Sequence, residues 1–165
     1  MALSGKVFTE IEIRALPAKV YNIFRKQLKK IPDISPDQVQ GARLHEGGWE
    51  NVGSVIHWEY TIDENEESAK VKIETIDDEN KVITFSLFDG NVSESYKSFK
   101  GTLQVFDCEL DINEYGSLVR WTFEYEKVKE DIIGACPDLY LDLVAEVTKD
   151  IDYHLELELE QDEQR

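Results

Sequence analysis

A single long amphipathic segment near the C-terminus limits what this chain can fold into. Between Pro137 and Glu160, Tyr140, Leu143, Val144, Val147, Ile151 and His154 recur at three- and four-residue spacing and so share one helix face. Asp142, Glu146, Lys149, Asp152 and Glu156 fall largely elsewhere. Pro137 stands in the first turn, where its missing N–H has no helical partner to lose. A helix of that length needs a broad apolar surface to lie against, and nearly everything upstream reads as strand. The expected architecture is one sheet curved around one helix.

The upstream pattern fills in that sheet. Val7 to Ile13 alternates Val7, Thr9, Ile11 and Ile13 against Phe8, Glu10 and Glu12. Pro17 opens a helical stretch with Val20, Ile23, Phe24, Leu28 and Ile31 on one face. Pro32 and Pro36 are read as breaking it, with a short second helix expected near Pro36 to Val39. Strands follow at Ala42–His45, Val55–Ile62, Lys70–Ile76, Val82–Phe88, around Phe99–Val105, and Val119–Glu126. Turns are expected at Asp63–Glu67, Asp77–Asn80 and Asp89–Asn91, with a loop near Asn113–Ser117; their Asp and Asn side chains bond local backbone. Hairpin connections favour an antiparallel sheet with one wet and one dry face. The order of strand, two short helices, six strands and a long helix is an α+β domain. It reads as one domain over residues 1–160, followed by a polar tail, 161–165.

Composition narrows the partners. The 165 residues include three Trp, seven Tyr and seven Phe, enough for a real core, and carry a formal charge of −17 from 35 acidic and 18 basic side chains. Such a surface repels phosphate backbones and anionic membranes, which argues against nucleic acid as a partner. No basic patch is expected; Arg25-Lys26 with Lys29-Lys30 reads as a solvated helix face. Two cysteines, Cys108 and Cys136, make no disulfide framework. With neither a leader nor a membrane-length apolar run, the expected location is cytoplasmic. Gly48 to Ser54 has the glycine spacing of a phosphate loop but no lysine before the Ser, and Glu50 would repel phosphate. His45, His57 and His154 have no metal-ligand spacing with the cysteines, so neither a metal nor a cofactor is expected.

The inward positions point to an interior site. From the strands they are Ile56, Trp58 and Tyr60; Val71, Ile73 and Thr75; Ile83, Phe85 and Leu87; Phe99 and Leu103; Trp121, Phe123 and Tyr125. From the long helix come Tyr140, Leu143, Val147, Ile151 and His154. A curved sheet around one helix leaves room that one row of side chains fills poorly. Tyr60, Tyr125, Thr75 and His154 would put hydroxyl and imidazole groups into it. Unpaired buried polar groups cost roughly 1–3 kcal/mol each, so they need neighbours, water or a ligand. An apolar chamber with a few convergent polar groups is the form of a small-molecule site.

Several stretches resemble a known family. His45-Glu46-Gly47-Gly48-Trp49-Glu50-Asn51-Val52-Gly53-Ser54-Val55 resembles the loop and strand of plant major latex proteins, a branch of the Bet v 1 / pathogenesis-related class 10 superfamily. Ser95–Lys100, Trp121–Lys127 and Thr148–Asp152 extend the resemblance over nearly the whole chain. It implies a helix-grip fold: seven antiparallel strands around a long C-terminal helix, two short helices in a V, and a large internal cavity. The family loop usually reads Gly-Asp-Trp-Gly, whereas here it is Gly47-Gly48-Trp49-Glu50.

Two functions follow as expectations. The first is binding of hydrophobic or amphipathic plant metabolites, hormones or sterols, with Tyr60, Tyr125, Thr75 and His154 orienting polar ends. Access is expected between the glycine-containing loop, the Asp63–Glu67 and Asp89–Ser93 turns and the start of the long helix. The second is a cofactor-free cyclase, isomerase or lyase of specialised metabolism, in which His154 moves a proton and Tyr60 or Tyr125 stabilises charge on oxygen. The superfamily includes norcoclaurine synthase, which uses a cavity lysine; the inward strand positions here hold none. The expected assembly is a monomer or weak homodimer.

Overall fold

The computed structural model describes residues 3–163. Seven strands form one antiparallel sheet in the order β1-β7-β6-β5-β4-β3-β2. They are β1 (Ser4–Ile13), β2 (Val39–Glu46), β3 (Val55–Ile62), β4 (Asn65–Asp77), β5 (Val82–Gly90), β6 (Tyr96–Asp111) and β7 (Glu114–Lys127). The helices are α1 (Pro17–Lys26), α2 (Ile31–Ile34), α3 (Asn91–Ser95) and α4 (Pro137–Glu163), with one 3₁₀ turn at Leu28–Lys30. β1 and β2 are the two edges, so the chain crosses the sheet through α1 and α2. Register shifts in the β2–β3, β4–β5 and β6–β7 pairings mark bulges, which bend the sheet around α4. No helix among the described residues is long and apolar enough to cross a membrane.

Most expected elements are present, and the differences have local causes. α2 starts at Ile31, not near Pro36, because Pro32 occupies its first turn, where proline fits rather than breaks. The β3–β4 connection is only Asp63–Glu64, both left-handed (φ 48° and 66°), and β4 starts at Asn65 within the stretch expected to be turn. Two residues of positive φ make the tight hairpin turn whose twist matches the strands. A short helix, α3, begins at Asn91, the last residue of the expected Asp89–Asn91 turn. β7 starts at Glu114 inside the expected loop, and α4 runs three residues past Glu160 into the expected tail. Gln164 and Arg165 lie outside the described residues.

The Thr148–Asp152 segment fixes α4 in place. Thr148 is fully buried and accepts a hydrogen bond from Trp121 Nε1 at 3.0 Å. Asp150 accepts from Ser35 Oγ at 2.6 Å, beside the end of α2. Asp152 accepts from the backbone N–H groups of Arg14 and Ala15 at 3.2 and 2.9 Å. Ile151, between them, is 0% exposed. Farther up, Ser95 accepts from Gly134 N, and Tyr96 donates to the Ala135 carbonyl, which holds the segment leading into α4.

Candidate functional site

The packed interior divides into two apolar clusters. One gathers Phe24, Leu28, Ile31, Val39, Trp121 and Val147; the other gathers Tyr60, Phe99, Phe123 and Tyr140. Between them lies a cavity of about 140 Å³. α1, the 3₁₀ turn and α2 supply Phe24, Leu28 and Ile31 to its wall; the sheet supplies Val39, Trp58, Tyr60, Val71, Phe85, Leu87, Gly101, Trp121 and Phe123. α4 contributes Tyr140, Leu143, Val144 and Val147. The wall presents almost no polar surface.

The hollow is smaller than expected because aromatic rings fill it. Trp121 stands among Phe85 and Phe123, with centroids 6.4 Å away on each side and near-parallel planes, and Phe24 meets it edge-on at 5.4 Å. Gly101 makes room for this set: it is paired with Phe85 and Phe123, and a Cβ there would lie 2.8 Å from the Phe123 ring. The volume resembles the roughly 150 Å³ cavity that can hold benzene, and falls below the ~300 Å³ at which most small-molecule sites begin.

Nine of the expected interior site residues do not line the cavity. Ile56, Ile73, Ile83, Phe99, Leu103 and Ile151 are buried in the packing around it. Thr75 is exposed: the bulge between Ile73 and Thr75 reverses the alternation, so Thr75 meets Thr84 on the outer face and Ile76 packs inward. Tyr125 leans toward the sheet edge, with its hydroxyl over Gly5. His154 sits on the flank of the buried face of α4 that Ile151 and Leu155 occupy, its side chain 34% exposed and its Nε2 3.1 Å from Glu158 Oε1. The residues missed were Phe24, Leu28, Ile31, Val39, Gly101 and Val144. The apolar face of α1 and the turn after it was the available signal.

The two hydroxyls that do reach the wall satisfy each other. Tyr60 and Tyr140 oxygens are 2.9 Å apart, with their rings edge-on. Burial raises both pKa values, that of Tyr60 to about 12, so both remain neutral at physiological pH. Glu67, opposite Tyr60 on β4, is partly buried; burial, then neighbouring Glu94, raises its pKa. No buried side-chain N or O atom among the described residues lacks a hydrogen-bond partner.

The expected access route is divided. The glycine-containing loop precedes Val55, whereas the β3–β4 turn follows Ile62, so the whole of β3 separates them. At the glycine-loop end, a surface clip ties α1 across the sheet. Asp78 Oδ1 accepts from Tyr21 OH at 2.7 Å and Arg25 Nε at 2.9 Å, while Arg25 Nη1 donates to the Glu50 carbonyl at 2.8 Å. The bonds from Tyr21 and then Arg25 lower the Asp78 pKa. A depressed carboxylate stabilises the fold above its unfolded pKa, and the contribution is lost as pH falls through the folded value. Thermal melts should therefore show wild type losing more stability than Asp78→Asn between roughly pH 5 and pH 2. Equal losses would show that the clip does not respond to acid.

Comparisons with known proteins agree with this geometry. The sequence pattern of the family described as "Pathogenesis-related protein Bet v 1 family" matches residues 2–158. MLP-like protein 43 of Arabidopsis thaliana is 39% identical over 154 residues, covering 93% of this chain and 94% of that protein. Major latex protein 149 of Papaver somniferum is 32% identical, covering 93% and 92%. The crystal structure of ginseng major latex-like protein 151 from Panax ginseng superposes with a TM-score of 0.83 at 35% identity, covering 93% of this chain and 98% of that one.

Proposed function

This chain belongs to the pathogenesis-related protein Bet v 1 family, and on that premise we propose that it holds a small, neutral, apolar molecule in the cavity between its two core clusters. The observation that carries this reading is an interior wall of apolar side chains whose two lining hydroxyls, of Tyr60 and Tyr140, are bonded to each other. A charged group placed there would lose its hydration and find no counter-charge. An apolar molecule loses nothing comparable and removes its surface from water. At ~25 cal/mol per Å², burying roughly 150–200 Å² releases about 4–5 kcal/mol, which sets a millimolar-to-submillimolar scale. Larger ligands bind more tightly only if the wall moves to admit them.

Proton-transfer catalysis draws no support from the site. His154 and Tyr125, two of the three residues expected to carry it, stand away from the cavity. The third, Tyr60, is held neutral and paired.

Thermal-shift and calorimetric titrations with a graded series, from benzene through monocyclic hydrocarbons to sterols, test the reading. The smallest apolar members should raise Tm in proportion to ln(1 + [L]/Kd), while matched carboxylates should not. No response to any neutral member would refute the proposal.

A further inference from the structure

We infer that the outer, convex face of the sheet carries a second site, built for a phosphate monoester. The strand register assembles it from residues far apart in sequence. Arg43 lies opposite His57, His57 opposite Lys70, and Lys70 opposite Phe88. One row along, Lys72 lies opposite Ser86 and Ser86 opposite Lys100. No such patch shows along the sequence, because these lysines occur on separate strands. On a chain with 35 acidic and 18 basic residues, this gathers three lysines, an arginine and a histidine on one face, with Glu46, Asp89 and Glu124 at its margins.

Beside this row lies a depression of about 290 Å³ lined by His45, Lys70, Lys72, Phe88, Val55, Gly53 and one carboxylate, Glu46; Lys72 is the residue it shares with the Ser86 row. A side chain at Gly53 would meet nothing within 4 Å, so the rim there is open. Lys70 is taken by Asp89 at 3.0 Å, and Glu124, opposite Lys100, reaches Lys6 at 3.8 Å. Lys72 and Lys100 are left without a carboxylate partner among the described residues. They flank Ser86 from neighbouring strands about 4.8 Å away on either side, and their flexible stems let both ammonium groups converge above its hydroxyl. Two point charges and a hydroxyl match the three terminal oxygens of a phosphate monoester. The apolar part of the ester then lies on Phe88, which is 39% exposed beside Lys70.

Nuclear magnetic resonance of the ¹⁵N-labelled full chain, titrated with phenyl phosphate, tests the site, with benzyl alcohol as the neutral control. A second arm measures co-sedimentation with phosphatidylcholine vesicles with and without phosphatidic acid. Phenyl phosphate should shift the amides of Lys70, Lys72, Ser86, Phe88 and Lys100, and benzyl alcohol should not. The double variant Lys72→Ala/Lys100→Ala, both exposed positions, should weaken binding by about tenfold or more. A response in the soluble arm alone assigns the site to a free phosphate ester. A lysine-dependent response to phosphatidic acid vesicles alone assigns it to a lipid headgroup. Silence in both arms, or a double variant that binds like wild type, overturns the inference.

Discussion

Val147→Phe should abolish uptake of small apolar ligands while leaving the fold intact. Val147 is 6% exposed and borders the cavity from α4, facing the aromatic set around Trp121. A phenyl ring placed there would extend into the 140 Å³ cavity that Val147 borders. Overpacking a filled core typically costs 1–3 kcal/mol, but filling an existing void offsets that with new contacts. The variant should therefore melt within about 1 kcal/mol of wild type and show no ligand-induced rise in Tm. Paired melts with and without benzene measure both quantities. Undiminished binding would place the ligand elsewhere and refute the cavity as its site.

The opposite change should enlarge the site at a large cost in stability. Trp121→Leu removes the ring at the centre of the Phe24, Phe85 and Phe123 contacts. Truncation of a buried Trp to Ala typically costs 3–5 kcal/mol; retaining a leucine side chain should reduce this to about 2–4 kcal/mol. No buried donor is orphaned, because the indole N–H leaves with its ring and Thr148 still donates to the Val144 carbonyl at 2.7 Å. Denaturant titration measures the loss. Bicyclic hydrocarbons that wild type excludes should then bind and restore part of the lost stability. Unchanged ligand size selection would show that Trp121 does not set the limit.

The fold was legible because its strongest signals are periodic. β3 occurs at Val55–Ile62 as expected, since apolar–polar alternation there is unbroken, and α4 begins at Pro137, where a first-turn proline belongs. Thr75 went wrong because one inserted residue reverses alternation, and a bulge leaves no reliable mark in composition. His154 went wrong for a different reason. It shares a helical stripe with Ile151, but the buried face runs on through Leu155, four residues after Ile151, and leaves His154 on its flank beside Glu158. The site was harder still to read. Periodicity identifies a buried side, yet whether a buried residue meets a neighbour or a void depends on the summed volumes of rings from different elements. Ile83 and Phe85 illustrate this: both face inward from β5, one wholly packed and the other at the cavity wall. Likewise, Lys72 and Lys100 become neighbours of Ser86 only once three strands are in register.

The attachment of α4 at Thr148–Asp152 makes the helix a lever. Its fulcrum is fixed by polar bonds to three other parts of the chain, whereas the arm from Val147 back to Tyr140 rests on apolar contacts and, at its tip, on the Tyr60–Tyr140 hydrogen bond. From Ile151 to Tyr140 the arm is about 16 Å long at 1.5 Å per residue, so a rotation of about 4° displaces its tip by about 1 Å. The interior volume would in that sense follow the angle of one helix, set at its anchored end and read out at its tip.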